Sequence, residues 1–179
     1  MPFTKDIVAV TQTSDVDWRL NEPLIYEGDR ETFTVPVEFV TDFASVPRIF
    51  VWLVPTYGSY TKAAILHDFL CRTGAVPRRD ADGIFRRCLL ESGVPFLRRW
   101  IMWAAVRLGA RFAGTTPAEF ATWLAIAVPA ATLLIVPGIT VAASIFVFWL
   151  LERITFVVLE PVSRKPTVAP GLWPPRPPK

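Results

Sequence analysis

From residue 120 to residue 151 the chain carries no Asp, Glu, Lys or Arg, and no other feature restricts its fold as strongly. An α-helix of that length rises roughly 48 Å, well beyond the ~30 Å hydrocarbon core of a bilayer. Pro137-Gly138 falls near the middle. The sequence therefore predicts two apolar helices, about 120–136 and 139–159, folded as a hairpin that crosses a membrane twice. Pro129 should kink the first, and Glu152 and Arg153 should mark where the second reaches the headgroups. The competing expectation is a helical hairpin buried in a soluble core. A small domain offers too few apolar partners to surround two such helices.

Positive charge orients the hairpin. Arg86, Arg87, Arg98, Arg99, Arg107 and Arg111 precede it, Arg164, Lys165, Arg176 and Lys179 follow it, and the turn has none. The positive-inside rule then places both termini in the cytoplasm. Residues 1–6 lack the basic start and apolar run of a signal peptide, so the first part of the chain is expected to stay where it is made. From residue 161 the chain is proline-rich and should be extended and disordered, with polyproline character. Two cysteines and one histidine exclude a disulfide scaffold and a four-ligand structural zinc site, and no glycine-rich phosphate loop is present.

Residues 4–43 read as short strands. Phe33, Val35, Val37, Phe39 and Phe43 alternate with polar residues, the signature of a half-buried strand, with Pro36 forcing an edge or a bulge. Three helices should follow, at 59–72 with Ser59 as N-cap and Gly74 as stop, at 78–92 after Pro77, and at 95–108. The expected architecture is α+β: a small N-terminal sheet packed with a three-helix unit (1–114), the transmembrane hairpin (115–160) and the tail (161–179).

Chemistry concentrates in three clusters, Thr41-Asp42-Phe43-Ala44-Ser45-Val46-Pro47-Arg48, His67-Asp68 and Asp80-Ala81-Asp82. His67 sits in an apolar helix and needs a hydrogen-bond partner if buried. Asp82 shares a helix face with Phe85 and Leu89, which points it inward. Antiparallel pairing of the first two helices brings His67 and Asp82 together. The carboxylate would hold one imidazole nitrogen and leave the other to deprotonate water. Asp68 points about 100° away, free to bind a divalent cation, calcium or magnesium. In the same register Cys71 and Cys88 lie about 15 Å apart along the axis and should be free thiols. The bland alternative is that these groups only tie two helices to the strand end at Asp42, which can cap the next turn through Ser45 and Arg48.

The third helix carries Arg98, Arg99, Arg107 and Arg111 beside Trp100 and Trp103. Arginines with aromatics just before an apolar segment suit a helix lying on anionic lipid, and no nucleic-acid partner is expected from so small a net charge.

The segments TDFASVPR, KAAILHDFLCR and RRDADGIFRRCL, in that order, resemble a family of uncharacterised phage and bacterial proteins. Its members share a Thr-Asp-x-Ala-Ser-x-Pro segment, a His-Asp helix and an Ala-Asp helix. The similarity covers about residues 35–109 and implies no settled activity. Its membrane-bearing versions resemble products of actinobacterial phages. A second resemblance is to the catalytic helices of phospholipase A₂, with His-Asp on one helix and an Asp six residues before a Cys on the next. It implies His67 as general base, Asp82 orienting it, and Asp68 on calcium with Asp42 standing in for the missing glycine-rich loop. Three functions are then expected to compete. One is a membrane-anchored hydrolase acting on lipid or envelope at the host inner membrane. Another is a non-enzymatic phage membrane protein for lysis, penetration or exclusion of rivals, working with other phage proteins or as an oligomer through the hairpin. The third is a virion component whose hairpin other subunits bury.

Overall fold

The computed structural model describes residues 3–28, 31–44, 46–110, 114–159 and 171. The expected proline-rich tail, Gly171 apart, lies outside them, as do Ser45 and Arg111. The chain divides into two compact units, Met1–Ala130 and Ala131–Lys179.

The first unit is α+β. Its strands are β1 (Val10–Gln12), β2 (Trp18–Leu20), β3 (Leu24–Glu27), β4 (Thr32–Val35) and β5 (Val40–Thr41). A three-stranded antiparallel sheet runs β1-β2-β5, and β3 pairs with β4 in a second sheet. The alternation after residue 32 had suggested one long strand, but it is two strands in different sheets. Pro36 cannot donate to a ladder, and the chain turns there, with Phe39 N–H on the Pro36 carbonyl at 3.4 Å and Glu38 at φ 68°. Val37 is consequently exposed, while Val35 is buried.

Three helices follow, α1 (Thr61–Thr73), α2 (Arg78–Glu91) and α3 (Phe96–Gly109). Gly74 ends α1 in the left-handed region, φ 65°, with its N–H on the Leu70 carbonyl. Ser59 does not cap α1. The residue before the helix is Tyr60, and the Thr61 hydroxyl instead accepts the Gly58 N–H at 2.8 Å. Residues 74–77 are too short a link for anything but an antiparallel pair, so α2 packs back on α1 and α3 on α2. The core gathers Leu20, Tyr26 and Val35 from the strands, Ile65, Leu66 and Leu70 from α1, and Phe85 and Leu89 from α2.

The apolar stretch is one helix, α4 (Pro117–Leu159), long and apolar enough to cross a membrane. The expected hairpin is not formed, and Pro137-Gly138 lies inside the helix. A turn there would leave helix-end N–H and C=O groups among Ile135, Val136 and Ile139, with Thr140 the nearest polar side chain. Continuing the helix forfeits the N–H that Pro137 lacks and crowds its ring against the carbonyl of residue 133. Thr140 and Ser144 turn their hydroxyls back onto the Val136 and Thr140 carbonyls at 3.0 and 2.9 Å. The start of α4 is a capping box. The Thr116 N–H meets the Glu119 carboxylate at 3.0 Å, and the Glu119 N–H meets the Thr116 hydroxyl at 3.3 Å.

Candidate functional site

The register of α1 against α2 settles which side chains meet. His67 Nε2 lies 2.8 Å from Asp82 Oδ1. The other carboxylate oxygen, Oδ2, accepts from Arg107 Nη1 of α3 at 3.0 Å. Arg107 Nη2 in turn donates to the Thr115 hydroxyl, just ahead of the α4 capping box. One carboxylate thus joins three helices. Asp82 is 0% and Arg107 3% exposed, whereas His67 keeps 12% of its side chain open.

Burial makes this arrangement necessary. A carboxylate removed from water must be paired and fully hydrogen-bonded. Arg107 supplies a permanent cation, and its Nη1–H donates to the carboxylate. In the tautomer with the ring proton on Nε2, that N–H donates to Asp82 Oδ1 and the lone pair is on Nδ1. The Phe85 ring packs on the imidazole with centroids 4.9 Å apart, and Cys71 Sγ lies 3.5 Å from Nε2.

Neither cysteine is a nucleophile in this fold. Both are free, as the register predicted. Burial pushes the Cys71 thiol up to about 11, only partly offset by exposed Arg78 beside it, and Cys88 up to about 12. Both remain thiols at neutral pH, and only a thiolate attacks.

Of the two acidic residues assigned to a cation, Asp68 has another partner. Asp68 makes an ion pair with Arg72 one turn on, at 2.8 Å. Arg72 also reaches the Val40 carbonyl of β5 at 2.7 Å, which ties α1 to the start of the Thr-Asp segment. Asp42 follows β5 directly. Beside it Thr41 is buried and its hydroxyl accepts the Phe43 N–H at 3.1 Å, with Phe43 at φ 59°. Among the described residues no three His, Cys, Asp or Glu side chains converge as metal ligands. With Arg72 on Asp68, the donor set does not fit the calcium site that the phospholipase resemblance implied.

On α3 the structure divides the residues read as lipid-facing. Trp103 and Arg107 are buried, and Arg98, Arg99 and Trp100 are half-buried. Arg107 as the partner of Asp82 was missed by the sequence reading. Its signal was present in the rule that a buried acid needs a buried cation, and in the placement of Arg107 one turn beyond Trp103 and Ala104.

Residues 18–106 match the sequence profile of a family described as "Protein of unknown function (DUF1353)". No curated protein and no solved structure matches the chain. The matched segment runs from β2 into α3 and contains the Thr-Asp segment, His67 and Asp82, and it stops just short of Arg107. Residues 18–106, the segment that holds His67 and Asp82, match the DUF1353 family of proteins of unknown function.

Proposed function

We propose that the chain is a membrane-anchored hydrolase in which His67 is the general base and Asp82 holds it, with an ester of a membrane lipid or another envelope component as substrate. The observation that carries this is the 2.8 Å contact between His67 and a carboxylate itself fixed by a buried arginine. The imidazole is oriented, and part of its side chain is open to water. In the reaction, Nδ1 takes a proton from water as the water oxygen bonds to the ester carbon or phosphorus. The same proton then passes to the departing alkoxide as the ester bond breaks. Asp82 steadies the imidazolium formed in between, and no step requires a bound cation.

α4 supplies the anchor. A single crossing puts the termini on opposite sides of the bilayer, in place of two cytoplasmic termini. The arginines of the first unit then assign that unit to the cytoplasmic face of the host inner membrane.

A second reading has its own support. Asp82 and Arg107 are sealed and Phe85 covers the imidazole, which is how a purely structural clamp of three helices would look. The chain would then be a non-enzymatic phage membrane protein, acting through α4 with other phage proteins, or a virion component. Hydrolysis of phospholipid esters by the full chain in mixed-lipid vesicles separates the two. Under the enzyme reading His67→Ala and Asp82→Asn, each checked for folding, lose about 10²–10⁴-fold of the rate. A wild-type chain without hydrolysis, or a folded His67→Ala that keeps it, rejects that reading.

A further inference from the structure

The seam between α1 and α2 runs past His67 and ends at a cation that the site does not use. The pairing of His67 with Asp82 sets the antiparallel register. Cys71, four residues on along α1, then falls opposite Arg78, four residues back along α2 and about one turn from Asp82. The Arg78 guanidinium donates to the Cys71 thiol, and Cys71 Sγ lies 3.5 Å from His67 Nε2. Only one side chain therefore separates the imidazole from Arg78. In the other direction the register sets Ala64 opposite Phe85, and both are buried. Cys71 is half-buried and Arg78 exposed, so the seam is closed at its Phe85 end and open at its Arg78 end.

The other charges at this end are matched. Asp82 takes Arg107, Asp68 takes Arg72, and Glu119 takes Arg79. Asp80, the acid in the first turn of α2, lies about 160° round the helix from Arg78. Among the described residues Arg78 forms no ion pair, and its thiol partner is a weak acceptor. A guanidinium carries five N–H donors in a planar fork, and most of those of Arg78 face solvent. Arg78 also opens α2 beside a second arginine, at the positive end of the helix dipole, where a cation is disfavoured and an arriving anion is favoured.

We propose that Arg78 seats a phosphate group of the substrate at the open end of the seam, beside His67. The proposal deepens the hydrolase reading and rests on it, because the phosphate belongs to the ester that His67 attacks. A phosphate presents two oxygens to the fork of one guanidinium, a fit that a point-charge ammonium does not match. The thiol gives up little when the phosphate takes its donor, since sulfur is a poor partner for the guanidinium. A neutral ester would leave the cation unanswered, so the seat selects anionic phosphate-bearing esters over neutral ones of the same acyl chain.

The chain has a single histidine, so isotope-labelled histidine in the full chain, held in detergent micelles, gives ring NMR signals from this site alone. At fixed pH and ionic strength the probes are glycerol 3-phosphate and a short-chain phosphatidylglycerol, with acetate as control. The His67 signals should shift saturably with a phosphate probe and not with acetate. Arg78→Gln should weaken that response about tenfold or more, and Arg78→Lys, which keeps the charge without the fork, should retain part of it. Arg86→Gln removes the same charge two turns along α2 and should leave the response as it is. A response to glycerol 3-phosphate supports a soluble phosphoester as the source, and one confined to the lipid supports a headgroup. No saturable shift, a shift that acetate matches, or one that Arg86→Gln weakens as much as Arg78→Gln overturns the proposal. With phosphatidylglycerol as substrate, Arg78→Gln should raise KM about tenfold with kcat nearly unchanged, and an unaltered KM overturns the seat alone. A phosphate response without any hydrolysis overturns the hydrolase reading and leaves the seat as a binding site.

Discussion

The helices of the first unit and α4 are built from similar apolar residues but are specified in different ways. α1, α2 and α3 each have a buried side, and the polar groups on that side must find one another, as Asp82 finds His67 and Arg107. α4 past Ala130 has no preferred side, and large residues all round it, Leu133, Ile135, Val136 and Phe148 among them, are exposed. A one-sided helix fixes register and neighbours, whereas an all-round apolar helix fixes only its solvent. The first unit can therefore hold a charge in its core, whereas α4 past Ala130 is specified by apolarity all round.

The sharpest way to break this contrast is at Arg107. Removing the cation leaves a buried carboxylate unpaired, so Arg107→Met should cost about 3–5 kcal/mol of unfolding free energy. Adding Asp82→Asn should return a good part of that loss, because the acid no longer needs a partner. Thermal or urea unfolding of the full chain in detergent measures both. If the single variant melts like the parent, the buried carboxylate does not depend on Arg107.

Next in size are apolar truncations. Leu89 is wholly buried beneath α1, and Leu89→Ala should cost about 2–5 kcal/mol. Leu133→Ala in α4 removes the same atoms from an exposed site and should stay within about 0.5 kcal/mol. Equal losses would mean that α4 is packed against protein after all.

One dependence on pH belongs to the first unit. Cys71 and Cys88 keep their protons to about 11 and about 12 in the fold, above the ordinary thiol range. Below that range folded and unfolded chains are equally protonated, and the stability is intact. As pH rises past it the unfolded chain releases protons that the fold retains, so stability falls until the folded thiols also ionise. Unfolding midpoints should drop on the alkaline side, and less so in Cys71→Ser. At pH 8 both thiols should resist alkylation until the chain is unfolded.

Much of this was legible in the sequence because it followed from local rules. Pro77, Pro95, Gly74 and Gly93 punctuate α1 to α3 within a residue or two of expectation, and the short link at 74–77 forces the antiparallel register that joins His67 to Asp82. What failed depended on non-local competition. Pro36 split an alternating run between two sheets, because the pattern persists although the ladder cannot. Pro137-Gly138 reads as a turn in water and is carried through a continuous helix, where Thr140 turns its hydroxyl back onto the Val136 carbonyl. Arg107 looked like a lipid anchor because charge was read along one helix, while its partner lay on another.

The smallest effect tests the same contrast through glycine. Gly83 is inside α2 with open space where a Cβ would go, so Gly83→Ala removes only backbone freedom and should add about 0.5–1 kcal/mol. Gly74 also has open space, but its φ of 65° is a conformation that an L side chain resists, so Gly74→Ala should lose about 1 kcal/mol. Space is equal at the two sites and only the backbone differs, so opposite signs in the melting temperature would isolate the backbone term. Gly138 in α4 has the same open surroundings as Gly83. Gly138→Ala should nevertheless leave the melting of the first unit unmoved, because the residues around it belong to a helix whose stability is set by its solvent and not by the packing that melts.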